Sequence, residues 1–171
     1  MTIRKLLAYG ILLLLAIVTV LPAQVPQQWV GEWKGMMHIY RAGKIVDSVA
    51  VSHRIRPAER EGAYVWRTEY HSEKMPVVKD YVLRTKDASR GLFLIDEGGG
   101  LELTAFLMGP RMLSTFEIKG ALLTANYEIR GDELIFEVTS NKKDAETGGG
   151  VTNYAVNTLQ RAVLERVTKE R

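Results

Sequence analysis

Short runs of alternating apolar and polar residues, cut at fairly even intervals by turn residues, dominate the chain from Trp29 to Val167. No stretch of useful length carries the 3.6-residue apolar period of an amphipathic helix, so the chain has strands to fold with and little else. Ala63 to Ser72 is the cleanest case. Tyr64, Trp66, Thr68 and Tyr70 fall on one face of an extended run, and Arg67, Glu69 and His71 on the other. The first run, Trp29 to Tyr40, puts Trp29, Gly31, Trp33, Gly35, Met37 and Ile39 on one face. Glycine weakens a strand, so two of them beside a tryptophan mark a place where another backbone or a large ring comes close.

Further runs follow at Ile45–Arg56, Val77–Lys86, Leu92–Asp96, Leu101–Met108, Met112–Lys119, Ala121–Arg130 and Glu133–Ser140. Gly109-Pro110, Gly120 and Gly131-Asp132 separate the later ones as tight-turn signals. The final run, Val151–Val167, alternates well at Tyr154 and Val156, but its LQRAVLERV portion also fits a helical pattern. About ten strands joined by tight turns predict an all-β fold, an antiparallel up-and-down barrel, with a two-sheet sandwich as the alternative.

Ahead of this domain, Arg4 and Lys5 precede an apolar run from Leu6 to Val20, and Ala23 stands at a plausible cleavage position. That layout predicts a helical signal peptide over 1–23 and one domain over 24–171, exported to the periplasm or beyond. Leu21 is larger than ideal three residues before the cut, so an uncleaved membrane anchor is the alternative reading. There is no cysteine, which excludes disulfides and lipobox acylation. The basic balance of 23 Lys and Arg against 20 Asp and Glu owes much to the leader. Without Arg4 and Lys5 it becomes 21 against 20, scattered in mixed sign, so nucleic acid is not an expected partner.

On Gly31-Glu32-Trp33 in the first strand, the ten-strand meander and a basic residue late in the last strand, the chain resembles the calycin superfamily. That group holds lipocalins, fatty-acid-binding proteins and nitrobindin-like bacterial relatives. The resemblance implies that Arg161 or Arg166 packs across Trp33, so Gly31, Trp33 and one of these arginines close one end of the barrel. It also implies binding of small hydrophobic molecules, with a few members binding haem or acting as isomerases or cyclases. Nitrobindin-like proteins hold haem through a histidine near the C-terminal end of the barrel. Here His38, His53 and His71 all lie in the first three strands, so haem is not expected and no cofactor is assigned.

Strand parity turns His53 inward with Val49, Val51 and Ile55, while His38 and His71 face outward, which argues against a three-histidine metal site. It also turns inward Trp33, Tyr64, Trp66, Tyr70, Tyr81, Phe116, Tyr127, Phe136 and Tyr154. Of these, Trp66, Tyr70, Tyr64, Tyr81, Phe116 and Tyr127, with His53, are the expected ligand-binding set, and Trp66 and Tyr70 are its principal walls. A histidine in that position is either a ligand contact, a general base, or a core residue bonded to Tyr64 or Tyr70. Asp96-Glu97 before Gly98 to Gly100 lacks the Lys-Ser/Thr of a phosphate loop and reads as a rim turn, like Gly148 to Gly150. The expected function is non-enzymatic binding of a small apolar or amphipathic ligand. The alternatives are an envelope module with a filled core that is structural or binds a partner, and a cyclase- or isomerase-type enzyme using His53 with Tyr64 or Tyr70.

Overall fold

The computed structural model describes residues 25–144 and 149–168; the expected leader and Gly148 of the expected Gly148 to Gly150 turn lie outside them. Ten strands are present: β1 (Gly31–Arg41), β2 (Lys44–Pro57), β3 (Ala63–His71), β4 (Val77–Asp87), β5 (Leu92–Gly98), β6 (Leu101–Met108), β7 (Arg111–Ile118), β8 (Ala121–Arg130), β9 (Glu133–Lys143) and β10 (Tyr154–Arg166). Each pairs with its neighbour in sequence and β10 closes on β1, giving a closed up-and-down barrel and not a sandwich. All ten pairings for which register is defined are antiparallel.

Two expectations change at the ends of the chain. Trp29 is not in the first strand; Gln27–Trp29 forms a 3-10 turn, closed by Trp29 N–H donating to the Pro26 carbonyl at 2.8 Å. That turn swings Trp29 beneath the barrel, where it is fully buried. The LQRAVLERV stretch is strand throughout, because pairing with both β1 and β9 satisfies its backbone and Ala162 and Leu164 meet the core.

The core is graded along the barrel axis. At the end where β1 begins, Trp29, Trp33, Ile55, Leu83, Phe93, Met112, Leu134 and Leu164 are all at or below 1% exposure and fill the cross-section. Each such side chain contributes roughly 1.5–3 kcal/mol by leaving water. Both first-strand glycines are explained by this end. A Cβ on Gly35 would stand 2.1 Å from the Val163 carbonyl oxygen of β10, and one on Gly31 would stand 2.5 Å from Arg166 Nη1.

The ladder between β6 and β7 is the barrel's shortest seam. It runs from Phe106↔Leu113 to Met108↔Arg111, next to their turn. Beyond it the two strands are bridged by the Ser114 hydroxyl, which donates to the Thr104 carbonyl at 2.7 Å.

Candidate functional site

The closed end is held by one arginine. Arg166 lays its guanidinium 4.0 Å from the centroid of the Trp33 ring and donates from Nη1 to the Val30 carbonyl at 2.8 Å, while Nη2 reaches the Gln28 carbonyl. The Trp33 indole N–H donates to the Trp29 carbonyl at 3.2 Å, tying the 3-10 turn to the same assembly. Arg161, the other arginine considered for this place, points outward and pairs with Glu137 at 2.9 Å. The two stand five positions apart, so strand alternation puts them on opposite faces.

Above this floor lies an aromatic layer. Tyr127 stacks on Phe136 at 4.4 Å and 12°, and meets Trp66 edge-on at 4.9 Å. His53 stands edge-on to Trp66 at 4.9 Å and tilted over Tyr127 at 5.7 Å. Trp29 approaches Trp66 from below at 6.1 Å. His53 Nδ1 is hydrogen-bonded to the Thr68 hydroxyl at 2.8 Å, and Nε2 has no partner among the described residues. Burial without a counter-charge pushes the imidazole down from its ordinary 6.5 to about 3, so it is neutral at physiological pH. Its partner is thus Thr68 and neither Tyr64 nor Tyr70, the pairing that the enzyme alternative called for. His38 and His71 bond outer-face serines instead, Ser48 at 2.7 Å and Ser52 at 2.8 Å.

Over the aromatic layer the barrel opens into a chamber of about 90 Å³. Of the expected ligand-binding residues, Trp66, Tyr70, Tyr81, Phe116 and Tyr127 line it. Tyr64 does not; it is buried at the closed end beside the Val25 backbone. Neither does His53, which Trp66 and Tyr127 separate from the space. Trp66 has two roles, because it is wall and core at once, with 1% exposure.

Two lining residues are charged: Lys79 on β4, which the sequence did not single out, and Glu97 on β5, which it placed in a rim turn. The signal was available, since Lys79 shares parity with Tyr81 and Glu97 with Ile95. Charged residues at strand ends ordinarily belong to solvent, which masks it. The Lys79 ammonium sits 6.0 Å from the ring centroids of both Tyr70 and Tyr81. Burial raises the Tyr70 phenol to about 12. Burial raises Tyr81 and Tyr127 further still, and the Glu97 charge adds to the shift at both. All three phenols are therefore neutral, and the Tyr81 hydroxyl is hydrogen-bonded to Glu97.

No family model matches the chain, and no curated protein matches it. Solved structures do. A protein of unknown function in the DUF3598 family of Nostoc punctiforme PCC 73102 aligns with a TM-score of 0.60 at 14% identity, covering 85% of this chain and 50% of its own. Rv2717c from M. tuberculosis aligns with a TM-score of 0.52 at 14% identity, covering 85% of this chain and 99% of its own. The wild-type fluorescent protein UnaG aligns at 0.47 and 14% identity, over 84% of this chain and 100% of its own. The chain thus spans half the length of the DUF3598-family protein. At these identities the likeness shows the fold, a closed antiparallel barrel, and nothing about ligand or activity.

Proposed function

We propose that this barrel is a non-enzymatic binder of a small amphipathic molecule, exported by its leader and cleaved after Ala23. The observation that carries the reading is the chamber itself, an aromatic space with convergent polar groups above a sealed floor. A core built only for stability would close that space, because buried voids and unpartnered polar groups both cost free energy. The 90 Å³ volume also limits the ligand. Sites that engulf a drug-sized molecule run to about 300–1,000 Å³, so only a compact head or a single ring fits inside. The remainder of the ligand rests on the rim, where Met75, Val78, Leu101 and Ile118 are exposed apolar side chains.

The test uses a small neutral probe, 3,3-dimethylbutan-1-ol, followed by amide shifts in solution NMR. Shifts should centre on Tyr70, Tyr81, Phe116 and Tyr127. Leu123→Trp, which fills the chamber from β8, should abolish them while leaving the β-sheet circular dichroism unchanged. If the alcohol shifts nothing, or shifts the Leu123→Trp variant equally, the barrel is a filled module and the ligand reading fails. Export is decided separately by the intact mass of protein from the cell envelope, where a mature chain beginning at Gln24 is expected.

A further inference from the structure

We propose that the chamber selects the head of an organic cation, a methylated ammonium, with Tyr70, Tyr81 and Phe116 as its walls and Glu97 as its counter-charge. The inference rests on the chamber being a ligand site and adds the ligand's charge. Three features of the structure support it.

The first is the wall chemistry. Aromatic faces carry negative electrostatic potential, and rings converging on one compact space are the arrangement that holds an alkylated ammonium, whose methyl groups prefer ring faces to water. The second is the balance of charge. Lys79 and Glu97 are the two ionisable groups lining the space apart from the tyrosines, and they are not equivalent. Glu97 is half-buried and forms no ion pair among the described residues, whereas Lys79 is exposed at the rim on a long flexible stem. Burial raises the phenols of both Tyr81 and Tyr127, and the nearby Glu97 charge adds to the shift at each. An anion entering there would meet that charge. The third is that a cation already stands at the entrance, the Lys79 ammonium 6.0 Å from the Tyr70 and Tyr81 rings. An incoming ammonium would take over those faces and the carboxylate behind them. Lys79 would swing into water at little cost, because its charge is hydrated already.

The size agrees as well. A trimethylammonium group is a compact near-sphere, suited to about 90 Å³, where an extended chain or a fused ring system is not.

Choline and 3,3-dimethylbutan-1-ol share one shape and differ by the positive charge on the head, so their dissociation constants isolate the charge term, while 3,3-dimethylbutanoate, charged at its other end, reports whether the mouth prefers an anion. Choline should bind about tenfold tighter than the alcohol, the ratio that ~1.4 kcal/mol represents. Glu97→Gln should erase that preference, bringing the choline and alcohol constants together, and Lys79→Met should tighten choline severalfold. Alcohol binding equal to or tighter than choline overturns the inference. So does tightest binding of the carboxylate, weakened by Lys79→Met. In both cases the ligand-site reading survives. If none of the three binds, both fall. Should Glu97→Gln not fold, the wild-type ranking and the Lys79→Met variant decide the matter between them.

Discussion

His53 shows how much one buried side chain commits the barrel to a pH range. Its folded pKa lies near 3 and its unfolded value near 6.5, so below pH 6.5 the unfolded chain binds a proton that the native state refuses. Stability from this group is therefore complete above about pH 6.5 and falls as pH drops toward 3, by up to roughly 1.4 kcal/mol per unit. Urea midpoints of wild type should decline from pH 7 to pH 4 more steeply than those of His53→Gln, and parallel curves would refute the assignment. At the other end of the barrel, Arg166→Ala removes the guanidinium from Trp33 and orphans two carbonyls, an expected loss of about 2–4 kcal/mol. Arg166→Lys should recover little of it, since a single ammonium cannot cover the ring and bond two carbonyls at once. Arg161→Ala, which breaks a half-buried outer-face pair with Glu137, should cost about 1 kcal/mol or less. Chemical denaturation of the three variants checks the contrast. Both arginines were visible in the sequence as candidates. Which one closes the barrel depends on the register that fixes Arg166 opposite Trp33.

Among the elements, strand alternation was legible nearly everywhere, because a barrel buries one face of every strand and leaves the other wet. It failed where something other than alternation decides the backbone. Trp29 looks like the first inward residue of β1, yet Pro26 and a tight turn take it out of the strand and under the floor. The LQRAVLERV run is ambiguous alone and becomes strand because β1 and β9 offer partners on both sides. The tryptophans carry a related lesson. Parity puts Trp33 and Trp66 inward alike, but only the structure shows Trp66 wedged among Trp29, His53 and Tyr127. Trp66→Ala should therefore cost about 3–5 kcal/mol, comparable to Trp33→Ala and not the lesser loss of a mere cavity wall. Denaturation midpoints of the two variants should fall together. The short β6–β7 ladder makes a further point at this scale. Amides of β6 and β7 that face each other beyond Ser114 should exchange with solvent faster than those of the β8–β9 ladder, which is paired from Ala121↔Lys142 to Arg130↔Glu133. Uniform protection around the barrel would show that seam to be tighter than its pairing indicates.

For the molecule as a whole, the gradient from a sealed floor to an aromatic chamber separates stability from binding. Substitutions at Trp29, Trp33 or Arg166 should lower the melting temperature and leave ligand selectivity alone. Changes at Lys79 or Glu97 should do the reverse. The chain also enters this gradient at a fixed place. Val25, the first described residue, is buried at the sealed end, and β1 climbs from there toward the mouth. Anything covalently attached ahead of Val25 is therefore moored to the bottom of the cup and not to its lip. A copy that kept its leader in a bilayer would stand like a goblet on its stem, base toward the lipid and opening toward the aqueous side. Under the proposed ligand reading, such a copy would draw its ligand from the aqueous side and not from the membrane that holds it.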